Sequence, residues 1–205
     1  MKNILLVLLI ALALSLCNLS ERFKKGSSSS SGPTGSGGSS SSVEPAKPTA
    51  EQTAALAGGS DVKWDKQGLS WTIPPGWTEE TNESKTFVMR SPGGGNAASL
   101  IVSISPMDAD FPADPQPWFQ QAESRAKNGE VDEVKWLEID GLKGVQFREA
   151  NPEHPDGPRR LQWMAYRKYT GQLQLVNVML ASEGKDLERH KNAMYGILYS
   201  MKVAH

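Results

Sequence analysis

The 205-residue chain is 38% hydrophobic and 22% charged, enough apolar content for one ordinary domain and too unevenly spread to favour two. Its formal net charge is −1, and from residue 60 onward 17 Lys and Arg stand against 20 Asp and Glu, a charge of −3. Nothing in that balance points to a nucleic-acid footprint, and a weakly acidic domain is not expected to be drawn strongly to phosphate backbones or anionic lipid headgroups. With Cys17 as the one cysteine, no intrachain disulfide can form, so the fold rests on its hydrophobic core.

In chain order, residues 1–17 come first. Lys2 precedes an apolar run from Ile4 to Leu16 that only Ser15 interrupts. The run is shorter than the ~20 residues of a comfortable membrane span and suits the core of an export signal. Leu14-Ser15-Leu16-Cys17 resembles the lipobox of bacterial lipoproteins, in which the cysteine is lipidated and becomes the new N-terminus. Leu16 departs from that pattern, where a small residue normally precedes the cysteine, and Arg22, Lys24 and Lys25 come soon after. Three routes stay open: lipidation at Cys17, an uncleaved apolar anchor, or soluble secretion after cleavage near Ala11-Leu12-Ala13. Each is expected to place the rest of the chain outside the cytoplasm.

Residues 18–59 read as a tether. Serine runs at 27–31 and 39–42 flank a Gly-Pro-Thr-Gly-Ser-Gly-Gly stretch, a composition with nothing to bury that predicts disorder. Some 40 flexible residues would reach about 35 Å. Thr49 to Leu56 is at most a marginal turn of helix, too short to stand alone.

Residues 60–205 read as the folded domain. Val62-Lys63-Trp64 and Leu69–Ile73 predict short strands, the second stopped by Pro74-Pro75-Gly76 with Trp71 and Trp77 on either side. Lys85–Ser91 and Ala98–Ser105 predict two more, the latter with Leu100, Val102 and Ile104 alternating against serines. The triple glycine 93–95 between them leads into no helix and precedes no Lys-Ser or Lys-Thr, so it reads as a hairpin connection rather than a phosphate cradle.

Asp108, Asp110 and Asp114 form an acidic patch around Phe111 and Pro112. Their spacing makes them a weak candidate for a hard cation, but the glycine and terminal glutamate of a calcium loop are absent. No metal site is assigned, and Asp114 is expected to cap a helix running to about Asn128, whose apolar stripe is Trp118, Phe119, Ala122 and Ala126.

Four strands are predicted next: Val131–Ile139, closed by the hairpin signal Asp140-Gly141, then Leu142–Ala150, Arg159–Tyr169 and Gln172–Ala181. The last is apolar on both faces from Val176 apart from Asn177, which predicts a central strand covered on both sides. His154 lies between Glu153 and Asp156 as a general base or metal ligand would, but three prolines mark this loop as an exposed hairpin tip. From Gly184, Leu187, His190, Met194, Ile197, Leu198 and Met201 fall on one face of a closing helix.

Ile73-Pro74-Pro75-Gly76-Trp77, the meander after Gly141, and the final Ile197-Leu198-Tyr199-Ser200-Met201 together resemble the PsbP-like α/β sandwich, including the bacterial DcrB-type lipoproteins. The resemblance spans roughly residues 68–203. It implies an α+β fold, an antiparallel sheet of about six to eight strands flanked by helices, and a mostly non-catalytic family. No binding residue transfers by position.

The expectation for function is therefore an extracytoplasmic, membrane-tethered, non-catalytic adaptor. It would be held at the membrane by its N-terminal lipid or apolar segment and would bind a protein of the cell envelope. No catalytic residue and no cofactor is expected. A small apolar ligand carrier is the alternative, and a hydrolase working through carboxylates is the second. All six tryptophans buried would count against the adaptor, and a filled space between sheet and helix would count against the carrier.

Overall fold

Alternating apolar side chains and short turns build most of this fold, and the computed structural model describes it over residues 40–205, which lie within one compact unit. The apolar leader, Cys17 and the tether up to residue 39 lie outside the described residues. The strands are β1 (Ser40–Pro45), β2 (Ser60–Trp64), β3 (Leu69–Ile73), β4 (Thr78–Asn82), β5 (Thr86–Arg90), β6 (Ser99–Pro106), β7 (Val131–Ile139), β8 (Leu142–Glu149), β9 (Pro158–Tyr169), β10 (Gln172–Glu183) and β11 (Lys202–Val203). The helices are α1 (Ala50–Ala55), α2 (Gln116–Lys127) and α3 (Leu187–Tyr199).

Eight strands form the main sheet in the order β1-β7-β8-β9-β10-β6-β5-β4. All neighbours are antiparallel except β1, which runs parallel to β7. A second sheet, β11-β3-β2, lies apart. The α+β class and the antiparallel meander are as the resemblance implied.

Hairpin chemistry behaves as expected. Asp140 and Gly141 both take positive φ, 50° and 83°, which the tight turn between β7 and β8 needs.

Two cores result. The larger lies on the inner face of the main sheet, which α3 and the small sheet close. Leu161, Trp163, Val178, Leu180 and Phe87 from the main sheet meet Met194, Ile197 and Leu198 of α3 and Trp64, Leu69 and Trp71 of the small sheet. Trp71 and Phe87 meet edge to face with centroids 5.1 Å apart. The smaller core lies on the outer face under α2, where Phe119 and Ala122 cover Val134, Trp136, Val145 and Phe147. Phe119 stacks on Trp136 at 4.5 Å.

Three features of the fold depart from expectation. Residues 40–59, read as the end of the tether, are built into the domain. A Ser-rich strand has no apolar face of its own, but the bare edge of β7 offers unpaired backbone groups, which β1 satisfies. Glu44 adds an ion pair to Lys135 at 3.3 Å. α1 starts at a Thr49–Gln52 capping box and docks on α3. A Cβ at Gly196 would stand 2.7 Å from the Gln52 carbonyl oxygen, so this close approach requires glycine.

Secondly, β4 and β11 had no signal. β4 reads Thr-Glu-Glu-Thr-Asn and is almost wholly exposed, a charged edge strand held by its hairpin with β5. β11 is only two residues paired with β3. Thirdly, β10 is central, but it is covered on one face only. Val176, Val178 and Leu180 are fully buried, while Leu175, Asn177 and Met179 are half-exposed on the outer side.

Candidate docking surface

Beside α3, at the β7–β8 end of the inner face, lies a polar cluster that sequence reasoning missed. Gln146 and Arg148 alternate against Val145 and Phe147 along β8, so they point toward α3 rather than α2. Gln146 is fully buried; it donates to Glu133 Oε1 at 2.7 Å and accepts from the Tyr199 hydroxyl at 3.1 Å. The Tyr195 hydroxyl donates to Glu133 and accepts from Arg148 Nη1 at 3.1 Å. Arg148 Nε donates to Asp132 at 2.7 Å, and the buried Arg159 pairs with the same carboxylate.

Burial pushes the Tyr195 hydroxyl well above its ordinary pKa, and Glu133 pushes it further. Burial opposes the charge of Arg148, yet Asp132, Tyr195 and Glu133 outweigh it and raise its pKa. Burial works likewise against Lys135, whose pKa Tyr199, Glu133 and Glu44 raise. These shifts keep the Tyr195 hydroxyl, the Arg148 guanidinium and the Lys135 ammonium protonated at neutral pH. The cluster clamps α3 to the sheet.

A second buried cation, Arg167, is 2% exposed. It donates to Gln174 at 3.0 Å, to the Ala204 carbonyl at 3.0 Å and to Gln67 at 3.3 Å, and its guanidinium lies 4.5 Å from the Tyr169 ring. It ties the β9–β10 turn region to the second sheet and the C-terminal residues.

The residues singled out from sequence are mostly at the surface. Cys17 lies outside the described residues. Among the described residues no three His, Cys, Asp or Glu side chains converge as metal ligands, so Asp108, Asp110 and Asp114 do not form a ligand set. Asp114 accepts from the Gln116 amide at 2.9 Å and so serves the first turn of α2. His154 is exposed in its loop, where Asp156 pairs with Lys185. His190 is half-buried on α3, and His205 contacts the Val203 carbonyl through Nδ1 at 2.9 Å. No helix among the described residues is long and apolar enough to cross a membrane.

The structure does bring together an aromatic group spread over residues 111–166. Cross-strand register places Tyr166 of β9 opposite Leu175 of β10, on the outer face. Trp118, at the start of α2, stacks on Tyr166 with centroids 4.6 Å apart and planes 27° from parallel. The loop between β6 and α2 brings Phe111 to the same ring at 5.6 Å. Phe111 remains 37% exposed and Trp118 half-exposed, while the other five of the six tryptophans are buried.

Because α2 sits over β7 and β8, the outer face continues open from this group across the sheet. Gln162, Met179, Ile101 and Val88 align across β9, β10, β6 and β5, all half-exposed. Gln162 donates to Asn177 at 2.7 Å within this face. Asp108, Asp110 and Asp114 are exposed at its aromatic end and join no ion pair among the described residues. Burial raises the Tyr166 hydroxyl pKa, and the nearby Asp114 carboxylate adds to the shift.

No protein-family model and no curated relative matches the sequence. Solved structures match the fold. The cyanobacterial PsbP protein CyanoP from Synechocystis aligns with a TM-score of 0.50 at 15% identity, over 71% of this chain and 92% of its own. LpqN, a protein involved in cell envelope biogenesis of Mycobacterium tuberculosis, aligns with a TM-score of 0.52 at 13% identity, over 72% of this chain and 86% of its own. The fold is PsbP-like; identities this low carry no site residue from one chain to the other.

Proposed function

We propose that this chain is a non-catalytic adaptor tethered on the outer side of a membrane, and that it holds an envelope protein against the open outer face of its main sheet. One observation carries this reading. The inner face is closed and filled, with Trp163, Leu180 and Ile197 each at 0% exposure, whereas the outer face ends in a half-open aromatic group of a kind enriched at protein interfaces. The filled inner face weighs against a small apolar ligand carrier. The fold shared with LpqN, and the export-like leader ending at Cys17, support an envelope setting.

The test is site-specific photocrosslinking of the full chain in its native cells, from position 111 on the outer face and from position 192 on the exposed side of α3. A reproducible protein adduct from 111 with none from 192 supports the adaptor and its face. No protein adduct from either position would sink the reading. Cys17→Ser addresses the tether: release of the protein from the membrane fraction supports lipidation, and retention assigns anchoring to the apolar segment instead.

A further inference from the structure

Resting on that adaptor reading, we propose that the occupant of the aromatic end of the outer face, Phe111, Trp118 and Tyr166, is a basic, arginine-bearing segment of the partner protein. Three features carry the assignment. Phe111 lies in a loop whose residues 108–114 are all exposed, and its ring meets Tyr166 at 5.6 Å with the planes tilted by 51°. A folding core would have drawn this ring inward, as it drew Phe87 and Phe119, which are 0% and 5% exposed.

The three rings form one group, with Trp118 stacked on Tyr166 at 4.6 Å and Phe111 tilted against it at 5.6 Å, and Phe111 and Trp118 are partly open to solvent. Planar cations stack on such groups more favourably than ammonium ions do, because the guanidinium is flat and more weakly hydrated. The chain already uses this contact internally, with Arg167 over Tyr169 at 4.5 Å.

Charge then selects the sign of the partner. Asp108, Asp110 and Asp114 share the exposed loop of Phe111, Asp114 lies close enough to Tyr166 to act on its hydroxyl, and no described cation pairs with them, although Lys168 is exposed two residues beyond Tyr166 on the same face. An acidic segment would be repelled here. A second copy would bring the same aspartates to face these ones, which disfavours a self-complementary contact. A basic segment gains both the ring faces and the carboxylates, and its affinity should fall with added salt.

The experiment uses the full chain in a neutral detergent with two fluorescent probes, an arginine–glycine repeat peptide and a glutamate–glycine peptide of equal length, read by anisotropy. Saturable binding of the arginine peptide alone is expected. Phe111→Ala, and separately the combined Asp108→Asn, Asp110→Asn and Asp114→Asn variant, should each weaken it by about tenfold, as loss of a central anchor typically does. No saturable binding overturns the proposal. So does binding that Phe111→Ala leaves unchanged, which is general attraction to an acidic protein, or binding that the Asn variant leaves unchanged. Concentration-dependent self-association abolished by Phe111→Ala overturns it in favour of a second copy.

The photocrosslink from position 111 separates the adaptor from the nature of its occupant. An adduct mapped to a neutral or acidic segment of the partner keeps the adaptor and overturns the basic occupant. An adduct mapped to an arginine-bearing segment supports both.

Discussion

The two faces of the main sheet are built from the same alternating strands yet end differently. On the inner face, β9 and β10 contribute Leu161, Trp163, Ala165, Val176, Val178 and Leu180, all at 0% exposure. On the outer face the intervening residues Gln162, Met164, Tyr166, Leu175, Asn177 and Met179 are half-exposed. The inner face has two lids, α3 and the small sheet, and the polar clamp of Glu133, Gln146, Arg148 and Tyr195 locks the first in place. Among the described elements, α2 alone packs on the outer face, seated at one end. Stability is therefore concentrated on one side and available surface on the other, an arrangement suited to a binding module whose partner must not disturb its core.

If that division is right, the largest loss of stability comes from the inner face. Trp163 is fully buried, its indole donates to the Leu137 carbonyl at 3.2 Å, and Gly144 leaves room for it. Trp163→Ala is expected to cost about 3–5 kcal/mol by urea unfolding. A loss under about 1 kcal/mol would mean that the inner face is not where this fold is held.

Docking of α1 comes next. Gly196→Val would drive a side chain into the Gln52 carbonyl, at an expected cost of roughly 1–3 kcal/mol. Amide exchange of Ala50–Ala55 should accelerate while that of β9 stays slow. Unchanged protection of α1 would show that its seat on α3 is not what orders it.

Tyr195→Phe removes the hydroxyl shared by Glu133 and Arg148. A loss of about 1–2 kcal/mol is expected, and thermal unfolding of the single variant beside Glu133→Gln and the double variant would measure the coupling within the clamp.

A smaller effect depends on pH. The Val203 amide, donating at 3.0 Å, holds the Asp140 carboxyl below its ordinary pKa, and Lys202 helps. Its contribution is present above that ordinary value, ~3.9, and is lost as pH falls through the lower folded value. Comparison of acid unfolding of the native chain with Asp140→Asn should therefore show curves that converge at low pH. Curves that stay parallel would remove Asp140 from the account.

The smallest effect belongs to the outer face. Phe111→Ala should leave stability within ~0.5 kcal/mol by the same urea unfolding, even though it is expected to cost binding. A large loss of stability would make Phe111 a core residue and erase the contrast between the faces.

Much of the main sheet was legible because its signals are local. Leu100, Val102 and Ile104 alternate, Asp140-Gly141 and Thr170-Gly171 turn, and Leu187, Met194, Ile197 and Leu198 recur at helical spacing; each pattern acts over a few residues and survives in any context. These located most of the strands and two of the helices, while the α+β sandwich class came with the PsbP-like resemblance. The aromatic group could be named only in part: Trp118 was read as core stripe and Phe111 as loop, and nothing local joins them to Tyr166.

Tertiary structure alone decided three matters. It decided that residues 40–45 pair, because the unsatisfied edge of β7 lies some 90 residues away along the chain. It decided that the buried Gln146 and the half-buried Arg148 are partners of Tyr199 and Tyr195, because a polar residue in a strand looks solvent-facing until the opposite element supplies its hydrogen bonds. And it decided that the outer face of β10 stays open: Leu175 and Met179 are apolar whether or not a helix covers them, and only the position of α2 over β7 and β8 settles which.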